Sequence, residues 1–343
     1  MNFMSTPLEA FYAKIDPHNL APLWRVMATL VPPAPQAKCQ PAHWPYAMAR
    51  DLLIESGELI SAELAERRVL VLENPALRGM SQATNSLYAG LQLILPGETA
   101  PAHRHSATAI RLILEGEGGF TSVDGESTPM SRGDFIITPS WTYHSHENPG
   151  SAPMIWLDGL DVPIVQFLDA GFSQRLDDST GEPKRVEDES LARFASGLLP
   201  IGFTSSESKN PVFRYPYDRT KSALEKLSTT GEVHHAHGLK MQFSNPTTGR
   251  HATATMAAFV QWLPKGFSGT RYRSTDAAVY CVIEGHGRSR IGESDVAWSP
   301  NDVFVVPSWT PVSHLTDEDC VLFSMSDRAT QSALGLWRES IEI

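Results

Sequence analysis

The sequence predicts a mainly β fold made of two tandem jelly-roll (double-stranded β-helix) barrels with N-terminal and connecting helices. The first observation is an internal repeat: residues 134–142 (DFIITPSWT) return as 302–310 (DVFVVPSWT), and the turn at Gly116 returns at Gly285, offsets of 168 and 169 residues. The second is that both copies consist of short apolar runs divided by Gly and Pro turns, as in antiparallel β proteins. A repeat of this length indicates that one closed β unit was duplicated and fused.

Length and composition bound the class of protein. The 343 residues suffice for two domains, and 41% hydrophobic with 20% charged residues is typical of a soluble globular chain. The net charge of −11 argues against a nucleic-acid partner, which would require basic patches. No apolar stretch approaches the ~20 residues of a membrane helix, no signal sequence is evident, and the three cysteines are odd in number. We therefore expect a cytoplasmic protein with no membrane partner.

Five segments are expected in chain order. They are an N-terminal helical region and arm (1–84), a metal-binding barrel (85–172), a connector with helices (173–240), a degenerate, metal-free barrel (241–327) and a C-terminal helix (328–343). Helical spacing at 8–30 and 46–60, interrupted or preceded by prolines, predicts the N-terminal helices. Strand-length apolar runs such as 88–95 and 135–138 predict the first barrel, and a helix-like run at 222–228 lies in the connector.

Three histidines of the first copy have the spacing of a metal site built on strands. Alternate residues of a strand point to the same face, so His103 and His105 share one, and His144 from a later strand can close the triangle. Imidazole suits iron, manganese, nickel and zinc, so the histidines alone leave the metal open. The equivalent positions of the second copy hold side chains that form no imidazole site, namely Tyr272, Ser274 and Val312.

Glycines and prolines around the histidines are also regularly spaced. Gly97 precedes His103 by six residues, Gly133 precedes Pro139 by six, and Asn148 follows the third histidine by four. This arrangement resembles the paired motifs of the cupin superfamily and predicts a bicupin. Cupins usually carry a carboxylate ligand where this chain has Ala109. Three neutral ligands leave positions open on the ion for a chelating substrate and dioxygen.

Longer segments look like those of the gentisate 1,2-dioxygenase family. They are 87–98 (LYAGLQLILPGE), 102–105 (AHRH), 115–118 (EGEG), 138–142 (TPSWT), 156–161 (WLDGLD) and 245–249 (NPTTG). The resemblance covers most of the chain and is weaker in the connector.

The resemblance implies an Fe(II)-dependent, extradiol-type dioxygenase of aromatic catabolism that opens gentisate (2,5-dihydroxybenzoate) with O2 to maleylpyruvate. It also implies one iron per chain in the N-terminal barrel and a homo-oligomer, expected to be a tetramer. An ortho-hydroxybenzoate can reach a divalent ion through its carboxylate and phenolate together, which places the ring beside the metal. The same chemistry on salicylate, substituted salicylates or 1-hydroxy-2-naphthoate stays an alternative, as does a non-oxygenase cupin that is a metal-dependent isomerase or binding protein.

A carboxylate substrate needs a cation in the site. The resemblance places the carboxylate-binding arginine at Arg67, which is also expected to act in catalysis, with Arg68 as its neighbour; which of the two holds the carboxylate is open. Arg111 lies six residues beyond His105 and can share the ligand face. A charge inside a barrel demands a partner, and Asp158 is the candidate.

Three further residues are expected at the substrate. His146, on the same strand face as the third ligand, is expected to contact the substrate and to act in catalysis, and the resemblance places Tyr88 and Gln92 in the pocket. The chain departs from the family at Ala107, often glutamine, and at Ser145, often aspartate in members that cleave gentisate. Tyr88 stands where relatives that cleave salicylate carry tryptophan. The preferred ring substituent is therefore left open.

Overall fold

The computed structural model describes residues 6–176, 184–204 and 209–342, and the chain forms two compact units, 1–36 and 37–343. In the smaller unit, helix α1 (Pro7–Ile15) begins with a reciprocal capping box between Thr6 and Glu9, and helix α2 (Leu23–Leu30) follows. Neither helix has a buried residue. Their exposed apolar side chains include Leu23, Trp24, Met27 and Leu30.

The larger unit combines short helices with many strands. Its helices are α3 (Tyr46–Leu59), α4 (Ala62–Ala65), α5 (Val162–Phe167), α6 (Glu189–Phe194), α7 (Tyr217–Ser228) and α8 (Arg328–Ala333). Its first strands are β1 (Ala42–Trp44), β2 (Val69–Val71), β3 (Tyr88–Ile94), β4 (Thr99–His105), β5 (Ala109–Glu115), β6 (Phe120–Val123), β7 (Glu126–Pro129), β8 (Phe135–Thr138), β9 (His144–Glu147), β10 (Met154–Leu160) and β11 (Ser173–Arg175). The later strands are β12 (Arg214–Tyr215), β13 (Leu239–Gln242), β14 (Ala257–Leu263), β15 (Tyr272–Ser274), β16 (Ala278–Glu284), β17 (Gly287–Ile291), β18 (Ser294–Trp298), β19 (Val303–Val306), β20 (Val312–Thr316), β21 (Cys320–Ser326) and β22 (Glu339–Ile341).

Four antiparallel sheets build two barrels, as the repeat predicts. The first barrel pairs a sheet of order β12-β8-β5-β10-β3-β2 with one of order β11-β4-β9-β6-β7. The second pairs β1-β19-β16-β21-β14-β13 with β18-β17-β20-β15-β22. Among the described helices, none combines the length and the apolar character that crossing a lipid bilayer requires.

One apolar core continues from the first barrel into the second. It includes Leu91 and Phe135 of the first barrel and Val260 and Phe323 of the second, and the Phe135 and Phe323 ring centroids are 5.5 Å apart. Strands β5 and β21 are buried at nearly every position, because one face lines a barrel interior and the other packs in the shared core. The two barrels therefore hold each other's strands in place.

The connecting segments contribute more strands than their polar sequence predicts. Strand β1, inside the predicted N-terminal arm, pairs with β19 of the second barrel, and β12 of the connector pairs with β8 of the first. The C-terminal helix predicted for 328–343 is wrong beyond Ala333, since Gly335 has a φ of +69° and the chain continues into β22, which pairs with β15. A glycine in this left-handed conformation commonly ends a helix.

Candidate metal centre

The three histidines converge at one end of the first barrel. His103 and His105 lie on β4, and His103 is the direct cross-strand partner of His144 at the start of β9. The three ring centroids are 4.6 to 5.3 Å apart, and one nitrogen of each ring lies within 4.8 Å of the others. Among the described residues, this is the one cluster of His, Cys, Asp and Glu whose atoms converge in this way.

Backbone carbonyls orient two of the three rings. His105 Nδ1 lies 2.7 Å from the Ala107 carbonyl oxygen, and His144 Nδ1 lies 3.1 Å from that of Thr142. Because Nδ1 donates its proton to the carbonyl, Nε2 keeps the lone pair that binds a metal.

Burial favours the neutral form of these ligands. It lowers the pKa of His103 to about 3, with the Arg67 charge adding to the effect, and it lowers the pKa of His105 and of His144. Neutral imidazole is the form that coordinates a cation. The donor set therefore fits a divalent transition metal.

A cavity opens beside the triad. It is lined by Arg67, Val69, Tyr88, Gln92, His103, His105, Arg111, His144, Asp158, Leu160 and Val162. Histidines, cations and apolar side chains thus share one space that can hold an aromatic acid. The apolar wall of Val69, Leu160 and Val162 was not predicted from the sequence. Val69 lies on a three-residue strand that has no readable periodicity, and Leu160 and Val162 lie at the end of β10 and the start of α5.

Arg67 presents a cation to this cavity. Its Nη1 donates to the Glu66 carbonyl and its Nη2 donates to the Pro101 carbonyl at 2.7 and 3.0 Å, so the side chain is held by backbone oxygens. Burial and the neighbouring Arg111 charge lower the pKa of Arg67 to about 10, so its guanidinium stays protonated at neutral pH. No carboxylate of the described chain lies within ion-pair distance of it, which leaves it available to an anionic ligand.

Arg111 and Asp158 form a buried ion pair across β5 and β10. Arg111 Nε lies 3.2 Å from Asp158 Oδ1 without being aligned for a hydrogen bond, and its Nη1 donates to Thr138 at 2.6 Å. Both side chains are buried. Burial raises the pKa of Asp158 to about 6, and the Arg111 charge opposes this rise. The pair places a second cation at the cavity while partly neutralising it.

Arg68 turns away from the cavity, and its expected contact with the substrate is not supported. Its guanidinium donates to both Glu98 carboxylate oxygens at 2.6 and 2.8 Å and to the Ile60 carbonyl, and it is 3% exposed. Consecutive residues at the entrance to β2 point to opposite sides, so only one of the two arginines can line the cavity.

His146 lies close to the triad but does not line the cavity. Its ring centroid is 5.9 Å from that of His144, its Nδ1 lies 3.0 Å from the Thr121 hydroxyl, and its buried Nε2 has no hydrogen-bond partner among the described residues. The strand alternation places it on the expected face. The direct substrate contact expected for it is not supported by this geometry, because His146 is not one of the side chains that line the cavity.

The second barrel repeats the geometry without the imidazoles. Tyr272 and Val312 are cross-strand partners on β15 and β20, at the places of His103 and His144. Ser274 ends β15 as His105 ends β4. The duplicated scaffold therefore carries the triad in one copy.

The comparisons with known proteins agree with this architecture. Residues 90–161 match the family model described as a cupin domain. The crystal structure of salicylate 1,2-dioxygenase from Pseudoaminobacter salicylatoxidans, with gentisate, matches with a TM-score of 0.92 at 34% identity, covering 100% of this chain and 96% of that one. The fold and the histidine site together define a bicupin.

Curated relatives narrow the class further. Gentisate 1,2 dioxygenase 1 of Aquipseudomonas alcaligenes is 50% identical over 330 residues, which is 96% of this chain and 95% of the relative. A 5-aminosalicylate 1,2-dioxygenase of Comamonas is 35% identical over 340 residues, 97% of this chain and 90% of the relative. The chain belongs to the gentisate 1,2-dioxygenase family.

Proposed function

We propose that the protein opens the aromatic ring of gentisate with dioxygen and forms maleylpyruvate, using one iron(II) held by His103, His105 and His144. The observation that supports this most is the single cavity shared by the triad and two arginines. Both atoms of dioxygen enter the product, so the reaction consumes one O2 per gentisate and needs no external reductant. The relatives are named as dioxygenases, so the non-oxygenase alternative is set aside.

Different side chains of the cavity bind different parts of the substrate. The Arg67 guanidinium binds the substrate carboxylate, because it is the cation in the wall that has no carboxylate partner in the described chain. The Arg111–Asp158 pair and Gln92 supply polar contacts to the ring hydroxyls. Iron(II), when bound, supplies open coordination positions at which substrate oxygens and dioxygen meet.

The same chemistry on salicylates or 1-hydroxy-2-naphthoate is the second candidate. The apolar wall of Val69, Leu160 and Val162 favours it, since these side chains accept a ring that has no further hydroxyl. Relatives named for 5-aminosalicylate and for 1-hydroxy-2-naphthoate are 35% and 32% identical to this chain. The 50% identity to a gentisate enzyme supports gentisate as the first choice.

A panel of hydroxybenzoates tests this choice. The iron-loaded protein is assayed for oxygen uptake with gentisate, salicylate, 5-aminosalicylate and 1-hydroxy-2-naphthoate. We expect the highest kcat/KM with gentisate. A higher value with any other acid would reassign the substrate, and no uptake with any of them would overturn the proposed reaction.

We also propose that the protein is a homo-oligomer, with a tetramer as the expected form. Support comes from helices α1 and α2, in which no residue is buried and apolar side chains are exposed. Analytical ultracentrifugation of the full chain tests this, and a monomer at micromolar concentration would contradict it.

A further inference from the structure

The interior of the second barrel is mostly apolar, but one cavity in it is lined by charged side chains, although that barrel has no histidine triad. It contains a small cavity whose wall includes Lys240, Asp276, Tyr280, Ser324 and Arg328. A barrel that served only as a scaffold would fill this space with apolar side chains. The retained charges therefore require an explanation of their own.

The cavity occupies the place of the first barrel's cavity. Lys240 on β13 is the cross-strand partner of Gln261 on β14, just as Val69 on β2 is the partner of Gln92 on β3. Direct cross-strand partners point to the same face of a sheet. Val69 and Gln92 line the metal cavity, and Lys240 lines the cavity of the second barrel, so its cross-strand partner Gln261 points to the same face of the sheet. The lysine is a cation that the first barrel lacks at this position.

Four charged side chains line this cavity: Lys240, Arg273, Asp276 and Arg328. The Arg273 guanidinium lies over the Trp309 ring, and the charges of Asp276 and Arg328 neutralise each other. Arg328 Nε lies 3.2 Å from Asp276 Oδ2, and the Trp337 indole donates to Asp276 Oδ1 at 2.9 Å. Arg328 Nη2 also donates a hydrogen bond to the Tyr272 hydroxyl at 3.1 Å. The Asp276 carboxylate is thus already paired with Arg328.

Lys240 has no such partner. Its Nζ lies 3.3 Å from the Tyr280 hydroxyl and over the Phe259 and Tyr280 rings, at 4.9 and 5.4 Å from their centroids. No carboxylate of residues 6–176, 184–204 and 209–342 lies within ion-pair distance of it. Burial and the Arg328 charge lower the pKa of Lys240 to about 7. A buried ammonium without a counter-charge is unfavourable, and a bound anion would compensate it.

Gln261 adds an unused amide beside this cation. The residue is 1% exposed, and neither its Oε1 nor its Nε2 has a hydrogen-bond partner in the described chain. Buried side-chain amides are nearly always hydrogen-bonded. A ligand oxygen that contacts both the ammonium and the amide N–H would satisfy both groups.

We propose that the second barrel binds a small carboxylate, without metal, through Lys240 and Gln261. The unpaired Lys240 ammonium favours a negatively charged ligand, and a planar carboxylate can accept hydrogen bonds from an ammonium and an amide on neighbouring strands. The small size of the cavity favours a short aliphatic acid over an aromatic one. The site is separate from the iron centre and does not depend on the proposed reaction.

Acetate is the probe that tests this site. Full-length protein stripped of metal with a chelator is titrated with sodium acetate by calorimetry, with sodium chloride at equal ionic strength as the reference. Lys240→Met removes the proposed site, and Arg67→Met removes the carboxylate site of the first barrel as a matched control. We expect saturable acetate binding in the wild type and in Arg67→Met, and at least tenfold weaker binding in Lys240→Met.

Three outcomes would overturn the proposal. They are no saturable acetate binding in the wild type, equal binding in Lys240→Met, and binding that only Arg67→Met abolishes. If Lys240→Met does not fold, Gln261→Leu replaces it, because this exchange leaves the charges unchanged and removes an unpartnered amide. We then expect several-fold weaker acetate binding, and unchanged affinity would contradict the proposal. Substrate turnover enters none of these readouts, so failure here is distinct from failure of the ring-cleaving function.

Discussion

His103 and His144 lie directly opposite each other on β4 and β9, and Tyr272 and Val312 form the matching pair in the second barrel. Both barrels also keep a hydrogen bond between a histidine and a hydroxyl one strand away, His146 with Thr121 at 3.0 Å and His314 with Ser289 at 2.8 Å. The histidine–hydroxyl bond therefore belongs to the duplicated scaffold, whereas the triad belongs to one copy. This explains why His146 packs beside the centre without lining its cavity.

Removal of one ligand should eliminate the metal. His144→Ala leaves two imidazoles, which hold a divalent ion far less tightly than three, and we expect iron content and turnover to fall at least about 100-fold. Metal analysis of the reconstituted protein and oxygen uptake measure the two effects. His235→Ala, a change at an exposed histidine outside the cluster, is the control and should keep both. Full iron content in His144→Ala would exclude this histidine as a ligand.

Substitutions at the two neighbouring arginines should have different effects, one on substrate binding and the other on stability. Arg67→Met removes the charge-assisted bonds to the substrate carboxylate, so KM should rise about 10- to 100-fold with stability nearly unchanged. Arg68→Met leaves Glu98 without its bidentate partner, so it should lower the free energy of unfolding by about 3 kcal/mol. Steady-state kinetics and urea unfolding on both variants separate the roles. Matching KM values for Arg67→Met and the wild type would remove Arg67 from the binding site.

Two glycines with positive φ should respond differently to the same substitution. A Cβ on Gly116, at φ +99°, would collide with Met154 and lie 2.6 Å from the Pro153 carbonyl oxygen, whereas Gly97, at φ +79°, has open space. We expect Gly97→Ala to cost about 1 kcal/mol for the backbone conformation and Gly116→Ala clearly more, from overpacking. Thermal unfolding compares them, and equal losses would contradict the packing around Gly116.

Acid should destabilise the metal-free protein in part through His314. Burial lowers the pKa of this histidine to about 3, with the Lys240 charge adding to the effect, while an unfolded histidine titrates near 6.5. Between these values the unfolded state binds a proton that the folded state does not, so stability is lost as pH falls below about 6.5, at about 1.4 kcal/mol per pH unit. The contribution is fully present above that pH.

The variant His314→Asn isolates this contribution, since the asparagine amide can still reach the Ser289 hydroxyl. Urea unfolding between pH 4.5 and 6.5 should give a pH slope that is shallower than that of the wild type by about 1.4 kcal/mol per unit. Parallel curves for the two proteins would show that His314 does not titrate as a buried neutral group.

The internal repeat and the spacing of the histidines were enough to predict most of the fold and the metal site from the sequence. His103 and His105 were readable because strand alternation is a local rule, and the second copy supplied an internal comparison. The segments that failed to follow local rules are those fixed by distant partners. Strand β1 forms because β19 offers an edge, and β22 forms on β15 after Gly335 ends the last helix.

The substrate side chains were harder to assign from sequence. Arg67 and Arg68 are adjacent and chemically equal in the sequence, and only the position of Glu98 decides which one faces the cavity. His146 was placed on the right strand face, but the depth at which the cavity ends depends on packing. The burial of Lys240 in the second barrel could not be predicted from the sequence, because a lysine at the start of a short strand usually has a solvated ammonium.

Oxygen uptake by the iron-loaded protein tests the central claim most directly. Protein purified without oxygen and loaded with iron(II) is mixed with gentisate and labelled dioxygen, with His144→Ala treated in parallel. We predict one O2 consumed per gentisate and both labelled atoms in a ring-opened product that absorbs in the near ultraviolet, with no reaction in the variant. No uptake in the wild type, or equal uptake in His144→Ala, would contradict a ring-cleaving centre built on these three histidines.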